Sequence, residues 1–353
     1  MVLPAESPVT MKTLAHQIGV SVATVSNAYS RPDQLSAELR HQILATAEEL
    51  GYAGPSVAGR ALRSGRNDVC GFLFGGELAT AFSDPYSVIF LAGLSESVEQ
   101  FGASVLLLKA PVGDGATQAL QRAPIDALVA NSTVASQTGI EMLRGRGVRI
   151  VRTRRCEDGD WVGINDASAA QLVARHLFRL GHRDIVVVAA GASTGGVDEW
   201  AYHPDRPVPG LVEGSYESER IRGIWDELTP RALRVVRAGA NTRAAGRTAA
   251  GQALDVQARP TAIVALSDVL AFGILDAVRA RGLEPGRDIS ICGFDDIPDA
   301  NFLGLTTLHQ PITKKGRLAG LLAMDPDHPQ RHNPLPVQLV VRASTGPAPT
   351  PRK

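Results

Sequence analysis

Cysteine is scarce in this chain of 353 residues, with three in all, Cys70, Cys156 and Cys292. Three is too few, and odd, for a disulfide framework. Cys70 and Cys292 lie in apolar, strand-like runs and Cys156 follows two arginines, which points to reduced cytosolic thiols. Eight histidines and three cysteines show no metal-ligand spacing. Neither a G-x-x-x-x-G-K-[ST] phosphate loop nor a G-x-S-x-G nucleophile motif occurs, so an enzyme is disfavoured and no cofactor or metal is expected. Net charge is lacking too: 36 Lys and Arg balance 36 Asp and Glu. Any affinity for nucleic acid must therefore come from a local patch. No apolar run reaches membrane-spanning length and no basic-then-apolar segment opens the chain, so the sequence reads as cytoplasmic. With 44% hydrophobic and 20% charged residues the rest is ordinary globular material, enough for two or three domains.

The stretch Thr10 to Ser30, TMKTLAHQIGVSVATVSNAYS, organises what is present. It reads as two short helices joined by a tight turn at Gly19-Val20-Ser21. Steeply crossing helices need a small residue at the contact (Ala15) and a turn residue free to take positive φ (Gly19). They also need apolar inner faces, supplied by Leu14, Ile18 and Val25. Ser21 is placed to cap the second helix. Its outer face then carries Val22, Ala23, Thr24, Ser26 and Asn27, small or amide side chains that suit a DNA groove. A helical hairpin that only packs is the alternative.

After the Pro-containing RPDQL connection, Ser36 can cap a third helix, Ala37 to Leu50, stopped by Gly51. Up to Arg66 six Lys and Arg face five acids, a weak net of +1. Three of those cations, Arg60, Arg63 and Arg66, recur one turn apart in the linker GYAGPSVAGRALRSGR (51–66), as phosphate contacts or as a solvated face. A two-turn helix from Ser56 to Arg63, begun by Pro55 and weakened by Gly59, is not stable alone in water. Leu62 on it is either a minor-groove wedge or an anchor onto the next domain.

From Asp68 the texture becomes strand and helix in alternation. Continuous apolar strands (69–74, 103–108, 125–130, 148–151) alternate with helices near 84–101, 116–122 and 138–146. Near Trp161 to Asp166 the pattern starts again, with strands at 184–190, 234–236, 262–266 and 289–293. The fold class is α/β, with two doubly wound parallel sheets and a ligand cleft at their strand ends.

Eight blocks along the chain carry a more specific resemblance: TLAHQIGVSVATVSNAYSRPDQLS, the linker, HLFRLGHRDIVVVAAG (176–191), ERIRG (219–223), ALSDVLAFGIL (265–275), DISICGFDD (288–296), LTTLHQP (305–311) and LVVRAST (339–345). In kind and order they resemble the LacI/GalR (lactose-repressor) family of bacterial transcriptional regulators, over roughly residues 10–345. The resemblance implies an N-terminal three-helix helix-turn-helix headpiece (10–52) after a disordered tail (1–9). A hinge helix (53–66) follows, then a two-lobed periplasmic-binding-protein-like core. The first lobe would span 67–164 plus about 310–330, the second 165–309 plus about 335–345, with 346–353 a tail.

Roles follow from the resemblance position by position. Val22, Ala23 and Asn27 would read bases, the first two by apolar contact and Asn27 by hydrogen bonding. Ser21, Thr24, Ser26 and Thr10 would meet the backbone, and Ser56, Gly59, Arg60, Leu62 and Arg63 would act in the hinge. The register there is one residue longer than in the best-known member, and Gly59 replaces a common Ala. Arg220, Ser267 and Asp295 fall where family members contact effector; a carboxylate and an arginine fork suit the vicinal hydroxyls of a sugar or nucleoside. Arg220 could instead pair with Glu219 or Asp226, and Asp295 could cap a loop. Phe82, Asp84 and Tyr86 sit where the first lobe would meet ligand, while Asp268 and Asp296 read as structural caps.

One segment departs from the family pattern: residues 191–218, with Trp200, Tyr202 and His203, are long for a strand–helix connection. A lid, a dimer contact and a mobile insertion all fit. The expectation is a homodimeric or tetrameric repressor on a near-palindromic operator, gated by a small effector and touching no membrane. A solute-binding protein is the alternative, since the core alone would fit it.

Overall fold

A computed structural model describes residues 9–54, 65–110, 115–131, 137–191, 197–206, 208–209, 211–228, 233–256 and 259–349. The chain divides into two compact units, residues 1–67 and 68–353. The linker positions Ser56, Gly59, Arg60, Leu62 and Arg63, and the helix read there, lie outside the described residues.

The first unit is built by its caps. Thr10 accepts a hydrogen bond from the Thr13 amide at helix Met11–Ile18, Ser21 from Thr24 at helix Val22–Ser30, and Ser36 from Leu39 at helix Ala37–Glu49. Each satisfies one of the orphan N–H groups of a helix start, worth about 1 kcal/mol. Gly19 takes φ 76° at the turn, where a Cβ would be strained. Leu14, Ala15, Val25, Ala28, Ile43 and Ala47 form the buried core, with Ile18 and Tyr52 packed on it.

The second unit holds two sheets. The first has the order β12-β5-β4-β3-β1-β2, all parallel. Its strands are β1 Val69–Phe74, β2 Ser104–Lys109, β3 Ala127–Ala130, β4 Arg149–Arg152, β5 Asp160–Gly163 and β12 His332–Pro334. The second has the order β13-β11-β10-β9-β6-β8-β7. Its strands are β6 Ile185–Ala189, β7 Asp198–Tyr202, β8 Leu233–Arg237, β9 Ala262–Ala265, β10 Ser290–Asp295, β11 Thr306–His309 and β13 Gln338–Val340. The chain changes lobe after β5, after β11 and after β12. Helix Ile312–Met324 therefore packs on helix Pro85–Glu99 of the first lobe. Glycine makes that approach possible: a Cβ on Gly93 would come within 2.3 Å of the Thr313 carbonyl oxygen. β6, β9 and β10 are buried along their whole length, as strands covered on both faces must be.

The two outer strands of the second sheet, β7 and β13, run antiparallel. β7 is a strand within the long 191–218 segment, where the sequence carries no strand signal. It pairs along β8, with Arg234 on Glu199 and Arg237 on Asp198 across the pair. Tyr202 and His203 pack edge-on against Trp225, with ring centroids 5.7 and 5.1 Å away. The described part of the segment is thus a wing fixed to the second lobe. No helix among the described residues is long and apolar enough to cross a membrane.

Candidate functional site

Two surfaces carry the candidate residues. On helix Val22–Ser30, Val25 and Ala28 are buried, so the opposite face must be outward. Val22 is 43% exposed despite being apolar, and Ala23 beside it is exposed. Ser21 and Thr24 are tied to each other through their hydroxyls at 2.8 Å as part of the cap. Thr10 likewise meets the Thr13 hydroxyl at 2.9 Å. The Ser26 carbonyl takes a hydrogen bond from the Ser30 hydroxyl. Asn27 donates to Gln34 Oε1 at 3.3 Å, an amide contact the sequence did not suggest.

The second surface is the cleft at the carboxyl ends of the strands in the larger unit. Asp84 caps helix Pro85–Glu99, taking hydrogen bonds from the Ser87 amide at 2.9 Å and the Ser87 hydroxyl at 2.7 Å. Its other oxygen faces Asn241 of the second lobe at 3.5 Å. Ser267, at the end of β9, caps helix Asp268–Ala280 and donates to Asn241 Oδ1 at 2.5 Å. Asp84, Asn241 and Ser267 therefore form a chain across the cleft. Tyr86 instead points its hydroxyl to Lys315, at 3.0 Å and within its own lobe. Phe82 ends a short 3-10 turn and is 70% exposed.

Arg220 is the hub of the second lobe's wall. Its Nε donates to Asp166 at 2.8 Å, its Nη1 to the Leu266 carbonyl at 2.7 Å, and its plane lies 3.4 Å from the centre of the Phe294 ring. Neither Glu219 nor Asp226, the partners considered from sequence, holds it: Glu219 pairs with Arg222. Asp166 was missed because it belongs to another helix, although its place at a helix start beside Asn165 is visible in sequence. Asp295, at the end of β10, is 7% exposed and accepts from Gln310 Nε2 at 2.6 Å. Burial holds its carboxyl well above the usual range, against the pull of Arg220. Asp295 and Asp296 also adopt φ of 123° and 55°, rare for non-glycine residues and a mark of strain held by the surroundings.

Asp268 and Asp296 act between elements rather than as local caps. Asp268 accepts from the Ile297 amide at 2.9 Å and the Thr307 hydroxyl at 2.5 Å, and burial pushes its pKa up to about 6. Asp296 holds Arg342 at 2.7 Å and His309 at 3.0 Å. Two more groups join the cleft unannounced. Tyr216 lies 4.8 Å from the Arg220 guanidinium, and Glu217 takes the Ala190 and Gly191 amides at 2.7 and 3.2 Å. At the rim Arg154 of the first lobe donates to the Gly214 carbonyl, at the end of the wing. Among the described residues no cluster of three potential metal ligands occurs.

The comparisons decide the family. The profile for bacterial regulatory proteins of the lacI family matches residues 10–54, and that for a periplasmic binding protein-like domain matches residues 174–345. A helix-turn-helix-type transcriptional regulator of Mycolicibacterium smegmatis is 34% identical over 336 residues, 90% of each chain. This chain belongs to the lacI family of bacterial transcriptional regulators. A LacI-family regulator from Corynebacterium glutamicum, solved by crystallography, covers 98% of it at 27% identity and a TM-score of 0.68. A family member from Enterococcus faecium, solved with bound ribose, covers 80% of this chain and 100% of its own at 22% identity and a TM-score of 0.64. As a lacI-family member the chain is a DNA-binding transcriptional regulator with a helix-turn-helix headpiece and a two-lobed, periplasmic-binding-protein-like core.

Proposed function

We propose that this regulator is a homodimeric repressor whose hold on a near-palindromic operator is set by a small effector in the cleft. The observation that carries the reading is the Asp84–Asn241–Ser267 chain beside Arg220 and Asp295, where polar groups of both lobes converge on one space. A ligand seated there touches both lobes, so it favours one inter-lobe angle by its differential contacts. The polyhydroxyl chemistry of a sugar or nucleoside fits the set, and the ribose held by the Enterococcus faecium relative agrees with it.

At the other end, Val22, Ala23 and Asn27 read bases in the major groove, while Thr10, Ser21, Thr24 and Ser26 meet the backbone. Two headpieces one helical turn apart match a palindrome, and the linker residues Arg60, Leu62 and Arg63 contact the minor groove between them. The protein works in the cytoplasm, without catalysis or cofactor. The test uses the full chain: an operator selected from random DNA, then titrated by fluorescence anisotropy with sugars and nucleosides present. Some member of that set should shift operator affinity at least tenfold. If none does, and none raises the melting temperature, the effector-gated reading is wrong.

A further inference from the structure

The charge balance of the cleft narrows the chemistry of its occupant; this rests on the reading of the cleft as the effector site. Arg220 is the guanidinium in its wall, and its charge is already matched by Asp166 at 2.8 Å, with the two side chains only 7% and 12% exposed. Two of its five N–H donors are taken, by Asp166 and by the Leu266 carbonyl, so others remain for a ligand. It can still donate hydrogen bonds but has no uncompensated charge to offer an anion. Around it stand three further carboxylates, Asp84, Glu217 and Asp295, close enough that Asp84 and Arg220 both act on Asp295. Two further described cations lie near the cleft, Arg154, held by the neutral Gly214 carbonyl at 2.5 Å, and Lys315, 7% exposed and 3.0 Å from the Tyr86 hydroxyl, so the three carboxylates still outnumber them.

Hydrogen-bond matching points the same way. Gln310, 2% exposed, gives its amide N–H to Asp295, and its Oε1 is a buried acceptor with no partner among the described atoms. Such an acceptor is satisfied by a hydroxyl donor, whereas an ionised phosphate or carboxylate brings only more acceptors.

We infer that the cleft takes an uncharged polyol, as a free sugar or nucleoside, and excludes the phosphorylated or carboxylated form of the same compound. Arg220 and the carboxylates then divide the work: the guanidinium donates to ligand oxygens, and Asp84, Asp295 and Gln310 accept from ligand hydroxyls.

The test is matched-pair titration of the full-length protein by calorimetry, using ribose and ribose 5-phosphate, glucose and glucose 6-phosphate, glucose and glucuronate, and adenosine and adenosine monophosphate. The neutral member of at least one pair should bind, and its anionic partner at least a hundredfold more weakly. Asp295→Asn should abolish the neutral compound's binding, and Asp84→Asn with Glu217→Gln should narrow the gap within the pair. An anionic member that binds as tightly as its neutral partner, lost in Asp295→Asn, overturns the charge argument while keeping the cleft as the site. Binding that survives Asp295→Asn, or no binding by any pair, overturns the cleft reading and the inference with it.

Discussion

Replacing Arg220 with methionine keeps the length of the side chain and removes its charge, which isolates what the guanidinium does. In the parent it braces three elements: Asp166 at the start of one helix, the Leu266 carbonyl after β9, and the Phe294 ring on β10. Without it Asp166 is a carboxylate with 12% exposure that has lost its ion-pair partner, a loss of roughly 3–5 kcal/mol. The stranded Leu266 carbonyl, within the same network, makes the upper half of that range the expectation. Each kcal/mol moves a domain of this size by about 2–4 °C, so the melting temperature should fall by about 8–20 °C. Asp166→Asn in the Arg220→Met background removes the stranded charge, and the double variant should recover about 1–3 kcal/mol. Differential scanning fluorimetry on the four proteins gives the cycle. Strict additivity, or a single-variant melt within 2 °C of the parent, would refute the brace. Effector response should vanish in both Arg220 variants while operator binding persists, because the headpiece has its own core.

Other expectations follow from single contacts. Ser21→Ala removes the acceptor for the Thr24 amide and should loosen helix Val22–Ser30 by about 1 kcal/mol; hydrogen exchange at Thr24 should quicken about fivefold, with Ser21→Thr restoring protection. Burial pushes the Cys70 thiol up to about 12 and Cys292 higher still, while Cys156 is partly exposed. Iodoacetamide at pH 8 should therefore modify Cys156 alone in the folded protein and all three cysteines in urea, and mass spectrometry that finds folded Cys70 modified as fast as Cys156 would contradict the burial. Burial lowers the pKa of both His176 and His182 below the ordinary 6.5, so their neutral forms are favoured in the folded protein. That stability is present above pH 6.5 and is lost as pH falls below it, so the urea midpoint should drop between pH 6.5 and 5. His182→Gln should flatten the drop.

Much of this fold could be read from local sequence, for identifiable reasons. The headpiece is written in short-range signals: caps at Thr10, Ser21 and Ser36, a left-handed Gly19, and apolar residues at helical spacing. The inner parallel strands read as continuous apolar runs because both faces are covered. β7 has neither signal. Asp-Glu-Trp-Ala-Tyr lies on a sheet edge, mostly exposed, and is fixed by arginines 35 and 39 residues further on. Pairing at that distance leaves no local trace. The same holds at the cleft: Arg220 and Asp295 stand in recognisable motifs, but Asp166, 54 residues from Arg220, shows its role only once the helices are packed.

The wing bears on the cleft because of where it ends. β7 starts beside Arg237, near the cleft end of β8, and the segment returns to the cleft at Gly214 and Ser215, just before Tyr216 and Arg220. Pro209 on the way back accepts a hydrogen bond from Arg237, which also holds Asp198, so one buried guanidinium ties both β7 and the returning segment to the second lobe. Gly214 then meets Arg154 of the first lobe. Two contacts between the lobes, Arg154 with Gly214 and Asp84 with Asn241, therefore flank the space where a ligand would sit. Separating the lobes must break both, and an occupant that replaces the long 3.5 Å Asp84–Asn241 contact with better hydrogen bonds gains in one inter-lobe arrangement and not the other. One of these two described contacts between the lobes is thus made at the end of the inserted segment.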